Sequence, residues 1–403
     1  MSNSNANSPQ ANSPRMSLVL SAIYSTTLMT AVGTSAMPPA LRAVEQTFGI
    51  APNQSGALLM IFTLPGIVLT PLLGVLADRL GRKKVLVPSL LLFALGGALA
   101  IYADTFSAIM LCRFIQGVGA AALGALNVAL VGDYYSGMRR TKIMGLNNSV
   151  LSVGTAVFPV ISGALAAIAW QYPFALPLFG VIAAVFVLIG IHDSDRPATH
   201  ATLGEYFAAI RAALRSRELV VLLVMTLVSF ALLFGPFLNY LQHSVKMLLP
   251  DGDPTVFKKI GLLVSSMSVT TAAAGIILDR LVARFTHRGL LIASCVLYAA
   301  SILGFSLMPS YALLFIPAVV FGIAQACNQP NVQSLVALFA PAGERAAMMS
   351  VNRTVALLGQ TLGPQLFGLV FASAGLNGVY YTGAAVALML LLPVAFTRYH
   401  EEP

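Results

Sequence analysis

The chain has 403 residues, of which 58% are hydrophobic and 9% are charged. A soluble domain carries roughly 25% charged residues, so this composition excludes an ordinary water-soluble protein, because too few polar side chains are present to cover its surface. We attribute the formal net charge of +9 to basic loops beside a membrane rather than to a surface that binds nucleic acid.

The first residues, 1–15, are rich in Ser, Asn and Pro, and they predict a disordered cytoplasmic tail. They lack the basic start and the cleavage site of a signal peptide. The apolar segment that follows is therefore expected to remain in the protein as a membrane span.

Long apolar runs make up most of the remaining chain. A helix that crosses a bilayer needs about 20 mostly apolar residues, whereas a membrane β-barrel would show short segments of alternating polarity. The sequence therefore predicts an all-α membrane protein with twelve transmembrane helices. They are expected at 16–37, 54–76, 85–103, 106–132, 143–168, 173–191, 218–243, 257–279, 288–308, 311–338, 348–373 and 376–397.

A polar stretch follows the sixth predicted helix and divides the chain into an N-terminal six-helix bundle, 16–191, and a C-terminal six-helix bundle, 218–397. The stretch itself, 192–217, is predicted to be a cytoplasmic linker with an amphipathic helix near 206–214, and a cytoplasmic tail is expected at 398–403. Most of the 23 Lys and Arg fall in loops on one side of this topology, which predicts that both termini are cytoplasmic.

The two halves repeat each other at a nearly constant spacing. Seven residues of the fifth predicted helix and its entrance have identical partners 205 positions later, so that Asn147 corresponds to Asn352 and Pro159 to Pro364. Gly74 at the end of the second helix corresponds in the same way to Gly275. Two pseudo-symmetric bundles related by an axis along the membrane normal are a transporter architecture, with a binding site between the halves.

The three cysteines, Cys112, Cys295 and Cys327, lie far apart in apolar segments. This spacing predicts neither a disulfide framework nor a zinc site, and we interpret them as small apolar core residues. We expect no metal site and no bound cofactor.

The loop after the second predicted helix contains Gly74, Asp78, Arg79, Gly81 and Arg82. A carboxylate at the end of a helix is disfavoured by the helix dipole unless it is paired, and the two arginines are candidate partners. Gly74 would let a neighbouring helix approach closely. Such a loop can act as a charged latch that holds one conformation and releases in another, or it can simply carry the basic residues of a cytoplasmic loop.

This loop resembles the loop motif of the major facilitator superfamily. In the fourth helix, Arg113, Gln116 and Gly117 look like the arginine–glutamine–glycine motif of that family. The fifth helix is similar to the antiporter motif of the drug:proton antiporter branch, although two positions, Phe158 and Ser162, differ from the glycines of that motif. Its matching residues are Gly145, Gly154, Pro159 and Gly163.

The resemblance implies the major facilitator fold and alternating access around a central cavity lined by helices 1, 4, 7 and 10. It implies that Gly74, Asp78 and Arg82 form the inner latch, with Asp133 as an ionic partner. It also implies that Gly154, Pro159 and Gly163 bend the fifth helix and pack it against the eighth.

Arg113 is the most informative single residue. It lies about seven residues, or roughly 10 Å, inside the fourth helix, where a charge costs at least ~2.5 kcal/mol near the bilayer centre and should face a cavity with a partner. Gln116, Gly124 and Asn127 fall on the same helical face as Arg113 and suit a cavity wall. The alternative is that Arg113 reaches the outer headgroups.

Other polar residues are weaker candidates for the cavity wall. Their amides and hydroxyls could bind a ligand, or they could only join helices through hydrogen bonds worth about 0.6 kcal/mol each. These residues are Tyr24 and Thr27 of the first helix, Asn239 and Gln242 of the seventh, and Gln325 and Asn328 of the tenth.

No carboxylate lies deep inside a predicted span. A proton-coupled transporter needs a titrating group within reach of both sides, and the remaining candidates are Asp78, Asp133, Glu45 and His243. Proton coupling therefore follows from the resemblance alone, and sodium coupling or uniport stays open at this stage.

Taken with the resemblance, these features predict a secondary active transporter that exports a small amphipathic molecule such as a drug, siderophore or metabolite. An ion gradient, of protons by resemblance, would drive it. We expect a monomer in the inner or plasma membrane whose partners are the lipid bilayer and the small-molecule cargo, with no nucleic acid. An importer of the same fold is the alternative. A membrane-embedded enzyme is disfavoured, because no nucleophile–base pair or metal-ligand set lies at helical spacing inside a span.

Overall fold

The computed structural model describes residues 14–192, 203–250, 253, 255–276, 278–341 and 345–397. Nearly every residue in these ranges is helical, and none is in a strand. Residues 1–13 of the predicted N-terminal tail lie outside the described residues, as do the C-terminal tail at 398–403 and residues 193–202 of the linker. The last two residues of the predicted N-terminal tail, Pro14 and Arg15, begin the first helix.

The N-terminal half consists of long helices joined by short turns. Glycine residues with positive φ end two of them, because Gly49 (φ 60°) and Gly81 (φ 101°) adopt backbone conformations that other residues rarely accept. A 3₁₀ turn at Tyr172–Leu178 leads into the last helix. The helices are α1 (Pro14–Ser35), α2 (Met37–Phe48), α3 (Pro52–Ser55), α4 (Ala57–Leu80), α5 (Arg82–Ile101), α6 (Phe106–Tyr134), α7 (Gly137–Ala166) and α8 (Phe179–Gly190).

The C-terminal half has the same arrangement with more irregular helices. A π-helical segment at Leu233–Asn239 contains Pro236 and joins α10 to α11. Two long helices are broken by one non-helical residue each, Thr286 in α13 and Gly375 in α15. The helices are α9 (Leu203–Arg215), α10 (Arg217–Leu232), α11 (Leu241–Met247), α12 (Val256–Ile276), α13 (Leu278–Leu307), α14 (Phe315–Phe339), α15 (Arg345–Met389) and α16 (Leu391–Phe396).

Eleven helical stretches among the described residues are long and apolar enough to cross a membrane. The last of them, Ala347–Phe396, has 50 residues and would be about 75 Å long as one helix, more than twice the hydrocarbon thickness of about 30 Å. The break at Gly375 (φ 66°) divides it. The all-α membrane fold is confirmed, and the count of twelve spans stays a prediction that this break supports.

The two halves meet at one end of the molecule, which we call the closed end. A single buried cluster there contains side chains of both halves, including Leu41 and Phe174 from the first and Phe237, Tyr240 and Phe321 from the second. Two further clusters belong to one half each.

The halves separate at the opposite end, which we call the latch end because α4 ends there at Leu80. A Cβ atom added to Gly74, Gly145 or Gly275 would meet no atom within 4 Å. The close helix approach expected at Gly74 is therefore not seen among the described residues in this conformation.

Helices α7 and α12 form the tightest contact between the halves near the closed end. A Cβ at Gly163 would clash with the carbonyl oxygen of Phe257, and a Cβ at Gly261 would clash with that of Pro159. Small residues at a membrane helix contact let the two backbones approach. Gly163 and Pro159 thus pack against the eighth span, whereas Gly154 packs against α1, where its nearest neighbour would be Ala31 Cβ at 2.8 Å.

We predict that Gly163→Ala lowers the stability of the protein by about 1–3 kcal/mol, because the added methyl group meets backbone rather than a movable side chain. Gly145→Ala on the same helix is the matched control, and it should be neutral or stabilising by about 0.4–1 kcal/mol, because it meets open space. Melting temperatures of the purified variants distinguish the two effects. Equal shifts for both variants would contradict the proposed contact.

Candidate functional site

A cavity of about 510 Å³ lies between the two halves and is open to solvent. Its wall on the α6 side consists of small residues, Gly117, Ala120, Ala121, Gly124 and Ala125, which leave room for a ligand because they have little or no side chain. The remaining wall comes from Met29, Thr30, Gly33 and Thr34 of α1, from Phe62, Thr63, Gly66 and Thr70 of α4, and from Arg353, Leu357 and Gln360 of α15.

The cavity ends toward the closed end at a direct contact between the halves. Thr63 and Thr361 share a hydrogen bond of 2.7 Å between their hydroxyl groups. The floor beside it includes Gln360, whose buried Oε1 has no hydrogen-bond partner among the described residues. A ligand in the cavity would thus meet an amide group near the point where the halves join.

Arg353 is the charged residue of the cavity wall. Its side chain is exposed, and its Nη2 atom lies 3.9 Å from the Cβ position of Gly124 on the facing helix. Among the described residues it makes no ion pair and no side-chain hydrogen bond. An unpaired guanidinium at the centre of a membrane protein is expected to serve a ligand or a water-filled path, and no carboxylate lines this cavity to oppose an anionic ligand.

Arg113 lies outside this cavity. It is buried, with 3% of its surface exposed, in a small pocket within the N-terminal half that Gln116 also lines. The burial excludes the alternative in which Arg113 reaches the headgroups. Its guanidinium stacks at 4.2 Å on the ring of Phe62, and Phe62 itself contributes to the wall of the cavity.

The other predicted wall residues of the N-terminal half join helices to one another. Thr27 Oγ1 donates a hydrogen bond of 2.5 Å to Asn147 Oδ1 and accepts one from Asn127 Nδ2. The C-terminal half contains the equivalent bond, in which Thr226 Oγ1 donates to Asn352 Oδ1 at 2.7 Å. The repeat predicted between Asn147 and Asn352 is therefore a repeat of packing. Tyr24 is half-buried against the N-terminal cluster.

In the C-terminal half, Gln325 and Asn328 are buried inside the bundle. Tyr298 donates its hydroxyl hydrogen to Gln325 Oε1, and Asn328 Nδ2 lies 3.4 Å from the Tyr298 oxygen. Neither residue lines the cavity. These contacts match the helix-joining alternative for residues of this type.

Asn239 and Gln242 lie at the closed end and not in the cavity. Gln242 Nε2 donates to Glu45 Oε1 across the interface between the halves at 2.9 Å, and Asn239 Oδ1 lies 3.5 Å from the hydroxyl oxygen of Ser55. His243 Nε2 is 3.7 Å from Glu45 Oε2. Two polar residues of the seventh span, Gln242 and His243, thus contact a carboxylate of the other half.

Glu45 was expected in an outer loop, but it lies on α2, a buried helix with 3% of the Glu45 surface exposed. Arg42 Nη1 donates a hydrogen bond of 2.9 Å to Glu45 Oε2. Burial raises the pKa of the Glu45 carboxyl above its ordinary value, although hydrogen bonds from Ser55, Arg42 and Gln242 favour the charged form and lower it in part. The closed end therefore contains a carboxyl group that is poised to bind a proton.

The latch residues meet at the other end of the molecule. Arg82 Nη1 lies 2.5 Å from Asp78 Oδ1, and Arg82 Nε lies 3.1 Å from Asp133 Oδ2. This group joins the ends of α4 and α6 to the start of α5, all within the N-terminal half. Gly81 provides the positive φ that the turn between α4 and α5 requires, and Arg79 is exposed.

Sequence reasoning did not include Arg353 and Glu45 among the wall and latch residues, although both carried a signal. Arg353 is a charge within a predicted span, the same signal that selected Arg113. Glu45 lies in an amphipathic stretch of 12 residues. This stretch is too short for a membrane span, so the sequence alone placed it between two spans.

Residues 23–403 match the family model of the Major Facilitator Superfamily, in two overlapping segments, 23–249 and 234–403. The chain belongs to the major facilitator superfamily. The resemblance predicted from the loop, the fourth helix and the fifth helix is thereby confirmed, and the protein is a multi-pass membrane protein of a transporter family.

Two relatives are exporters or resistance proteins by name. The bacillibactin exporter of Bacillus subtilis (strain 168) is 25% identical over 392 residues, which cover 93% of this chain and 95% of the relative. The quinolone resistance protein NorA of Staphylococcus aureus is 25% identical over 178 residues, or 44% of this chain and 46% of the relative.

Solved structures share the fold at low sequence identity. Nucleoside transporter NupG has a TM-score of 0.79 at 14% identity and covers 94% of this chain and 98% of its own. A bacterial homologue of the human lysosomal transporter Spinster, in an inward-facing and unoccupied conformation, has a TM-score of 0.75 at 17% identity and covers 96% of this chain and 97% of its own. These likenesses confirm the major facilitator fold.

Proposed function

We propose that this protein exports a small amphipathic molecule that carries an anionic group, by alternating access through the cavity between its halves. The observation that carries the proposal is Arg353, an exposed cation that is unpaired among the described residues, in a cavity wall whose other residues are uncharged. The apolar wall suits the body of such a cargo, and the guanidinium suits its charge. The relationship to a bacillibactin exporter over nearly the full chain supports export.

We propose the inner or plasma membrane as the location, with both termini and the latch end on the cytoplasmic side. The basic loops favour this orientation, because Lys and Arg collect in cytoplasmic loops. The cavity would then be open to the cytoplasm, where an exporter collects its cargo, and the closed end would separate it from the outside.

Proton exchange is the proposed driving reaction, and Glu45 is the proposed proton-binding group. It is a buried carboxyl at the interface that must part when the closed end opens. Loss of the contact with Gln242 would expose the carboxyl to water and change its proton affinity. Proton binding and opening are then linked, which is what coupling requires. We propose that a single chain carries out the cycle.

The test is cargo transport by the purified full chain in proteoliposomes with a pH-sensitive dye inside. A panel of labelled amphipathic anions, neutral compounds and cations is offered with and without a pH gradient. We expect the anions to be transported, in exchange for protons. Transport restricted to cations would overturn the cargo proposal. Transport of anions without proton flux, or with protons in the same direction, would overturn proton exchange.

A further inference from the structure

Arg113 is a buried cation whose charge no described residue neutralises. Its Nη1 donates to Gln116 Oε1 at 2.6 Å, and its Nε lies 3.4 Å from the carbonyl oxygen of Leu58. The face of Phe62 covers one side of the guanidinium. Each of these partners is uncharged. A guanidinium that is removed from water without a counter-charge is costly, so the arrangement lacks one component.

Two hydrogen-bond donors in the same pocket have no acceptor among the described residues. They are Arg113 Nη2 and Gln116 Nε2, and both belong to side chains that are 3% and 1% exposed. The orientation of the Gln116 amide is determined by its oxygen, which accepts from Arg113. Helix α5 holds the Gln116 backbone in place, because Gly96 packs directly against it. The pocket beside both donors is small, with space for about one water-sized particle.

We propose that the Arg113–Gln116 pocket binds a small monovalent inorganic anion, with chloride as the physiological candidate. Both unpartnered groups are donors and the local charge is positive, so an anion satisfies the hydrogen bonds and the charge together. A water molecule could accept the two hydrogen bonds but would leave the charge buried and uncompensated. A monatomic ion is the smallest inorganic anion, and the space beside the donors is close to that of one water-sized sphere.

The pocket is independent of the proposed cargo site. Its remaining lining is apolar and comes only from the N-terminal half, from Val32, Ala36, Met37, Pro173, Phe174 and Pro177. Movement of one half against the other would not expose it alternately to the two sides. The anion is therefore a resident of the N-terminal half that holds α6 against α1, α2 and the turn before α8, and it is not the transported species.

The molecule contains a natural reporter for this pocket. Trp170 is the single tryptophan of the chain, and its ring contacts the ring of Phe174 at a centroid distance of 6.1 Å. Since Phe174 lines the pocket, occupancy should change the environment of Trp170. This fluorescence signal requires no cargo and no transport.

The experiment uses the purified full chain in nanodiscs with gluconate as the starting anion. Chloride, bromide or acetate replaces gluconate at constant ionic strength, while Trp170 fluorescence and the melting temperature are followed. We expect a saturable fluorescence change and a rise of about 2 °C or more in melting temperature with either halide. Arg113→Gln should abolish both responses. Arg353→Gln, which removes the cation of the cavity, should leave them unchanged.

A second variant tests the missing charge directly. Gln116→Glu places a carboxylate beside Arg113, so the protein should become independent of halide and melt at or above the temperature of the halide-saturated wild type. This result stands even where Arg113→Gln fails to fold. The proposal is overturned by a wild type without a saturable halide response, by a response that persists in Gln116→Glu, or by a response to acetate alone, which would indicate a carboxylate site.

Discussion

Arg353→Gln is expected to lower transport of an anionic cargo by roughly 10- to 100-fold at sub-saturating concentration. A hydrogen bond to a charged group contributes about 1.5–3 kcal/mol, and each 1.4 kcal/mol is about tenfold in affinity. The protein itself should remain folded, because Arg353 has no partner among the described residues that its loss would leave unpaired. The measurement is the initial rate of labelled cargo uptake into proteoliposomes, with the melting temperature measured in parallel.

Two variants serve as controls for this experiment. Arg353→Lys keeps the charge but loses the planar pair of donors, so it should retain part of the activity. Arg211→Gln removes an exposed arginine of α9, outside the cavity, and should leave transport unchanged. The cargo proposal fails if Arg353→Gln transports the anion at the wild-type rate, or if it loses an uncharged cargo to the same extent.

Much of the fold could be predicted from the sequence, because the bilayer limits the possible structures. Apolar runs of about 20 residues require spanning helices, and the repeat at a constant spacing required two similar bundles. The Thr27–Asn147 and Thr226–Asn352 hydrogen bonds show what the repeated residues do, because each bond joins the first span of its half to the fifth. A buried polar pair between two helices restricts both of them, so the same solution was kept in each half.

The direction of individual side chains could not be predicted in the same way. Helical spacing placed Arg113, Gln116, Gly124 and Asn127 on one face of α6, and they were expected to share one cavity. In the structure this face borders three environments. The first two residues face a pocket inside the N-terminal half, Gly124 faces the cavity, and Asn127 faces Thr27 of α1. Spacing along one helix gives its faces, but the neighbour of each face depends on how all the helices pack.

The positions of Asn239 and Gln242 in the seventh span could not be predicted for a related reason. Asn239 ends a π-helical segment that contains Pro236, and Gln242 follows it in α11. In a π-helical segment the regular 100° rotation no longer applies, so the faces of the residues in and after it shift. Asn239 and Gln242 are consequently at the closed end, in contact with Ser55 and Glu45 of the other half. Contacts of this kind depend on chain positions nearly 200 residues apart, which no local pattern contains.

The second large expected effect is that opening of the closed end depends on pH, and Glu45 is the group responsible. While the closed end is shut, burial holds the pKa of the Glu45 carboxyl above its ordinary value of 4.5. Once the halves part, water reaches the carboxyl and its pKa should return toward 4.5. At pH values between 4.5 and the raised pKa, the Glu45 carboxyl is protonated in the shut form and ionised in the open form. The shut form is therefore favoured fully below pH 4.5, and this advantage is lost as pH rises to the raised pKa.

Other charged groups near the interface could titrate as well, and they are separable. Arg42 is paired with Glu45 itself, Lys246 lies near His243, and Lys259 of α12 is paired with Asp253. His243 is the remaining candidate, because its ring lies 3.7 Å from Glu45. A His243→Gln variant therefore accompanies every measurement.

The population of the shut form can be followed by a distance between spin labels on the two halves. The labels are attached through the substitutions Tyr172→Cys and Met247→Cys. Both residues are exposed and lie near the closed end on opposite halves, whereas the three native cysteines are buried. We expect two distances, a shorter one in the shut form and a longer one in the open form. The ratio of the open population to the shut population should rise by up to tenfold for each pH unit above 4.5, until the pH reaches the raised pKa of Glu45. Glu45→Gln imitates the protonated carboxyl, so it should stay shut at every pH. His243→Gln should keep the wild-type response. If instead the response survives in Glu45→Gln and disappears in His243→Gln, the histidine is the proton-binding group and the coupling proposal for Glu45 is wrong.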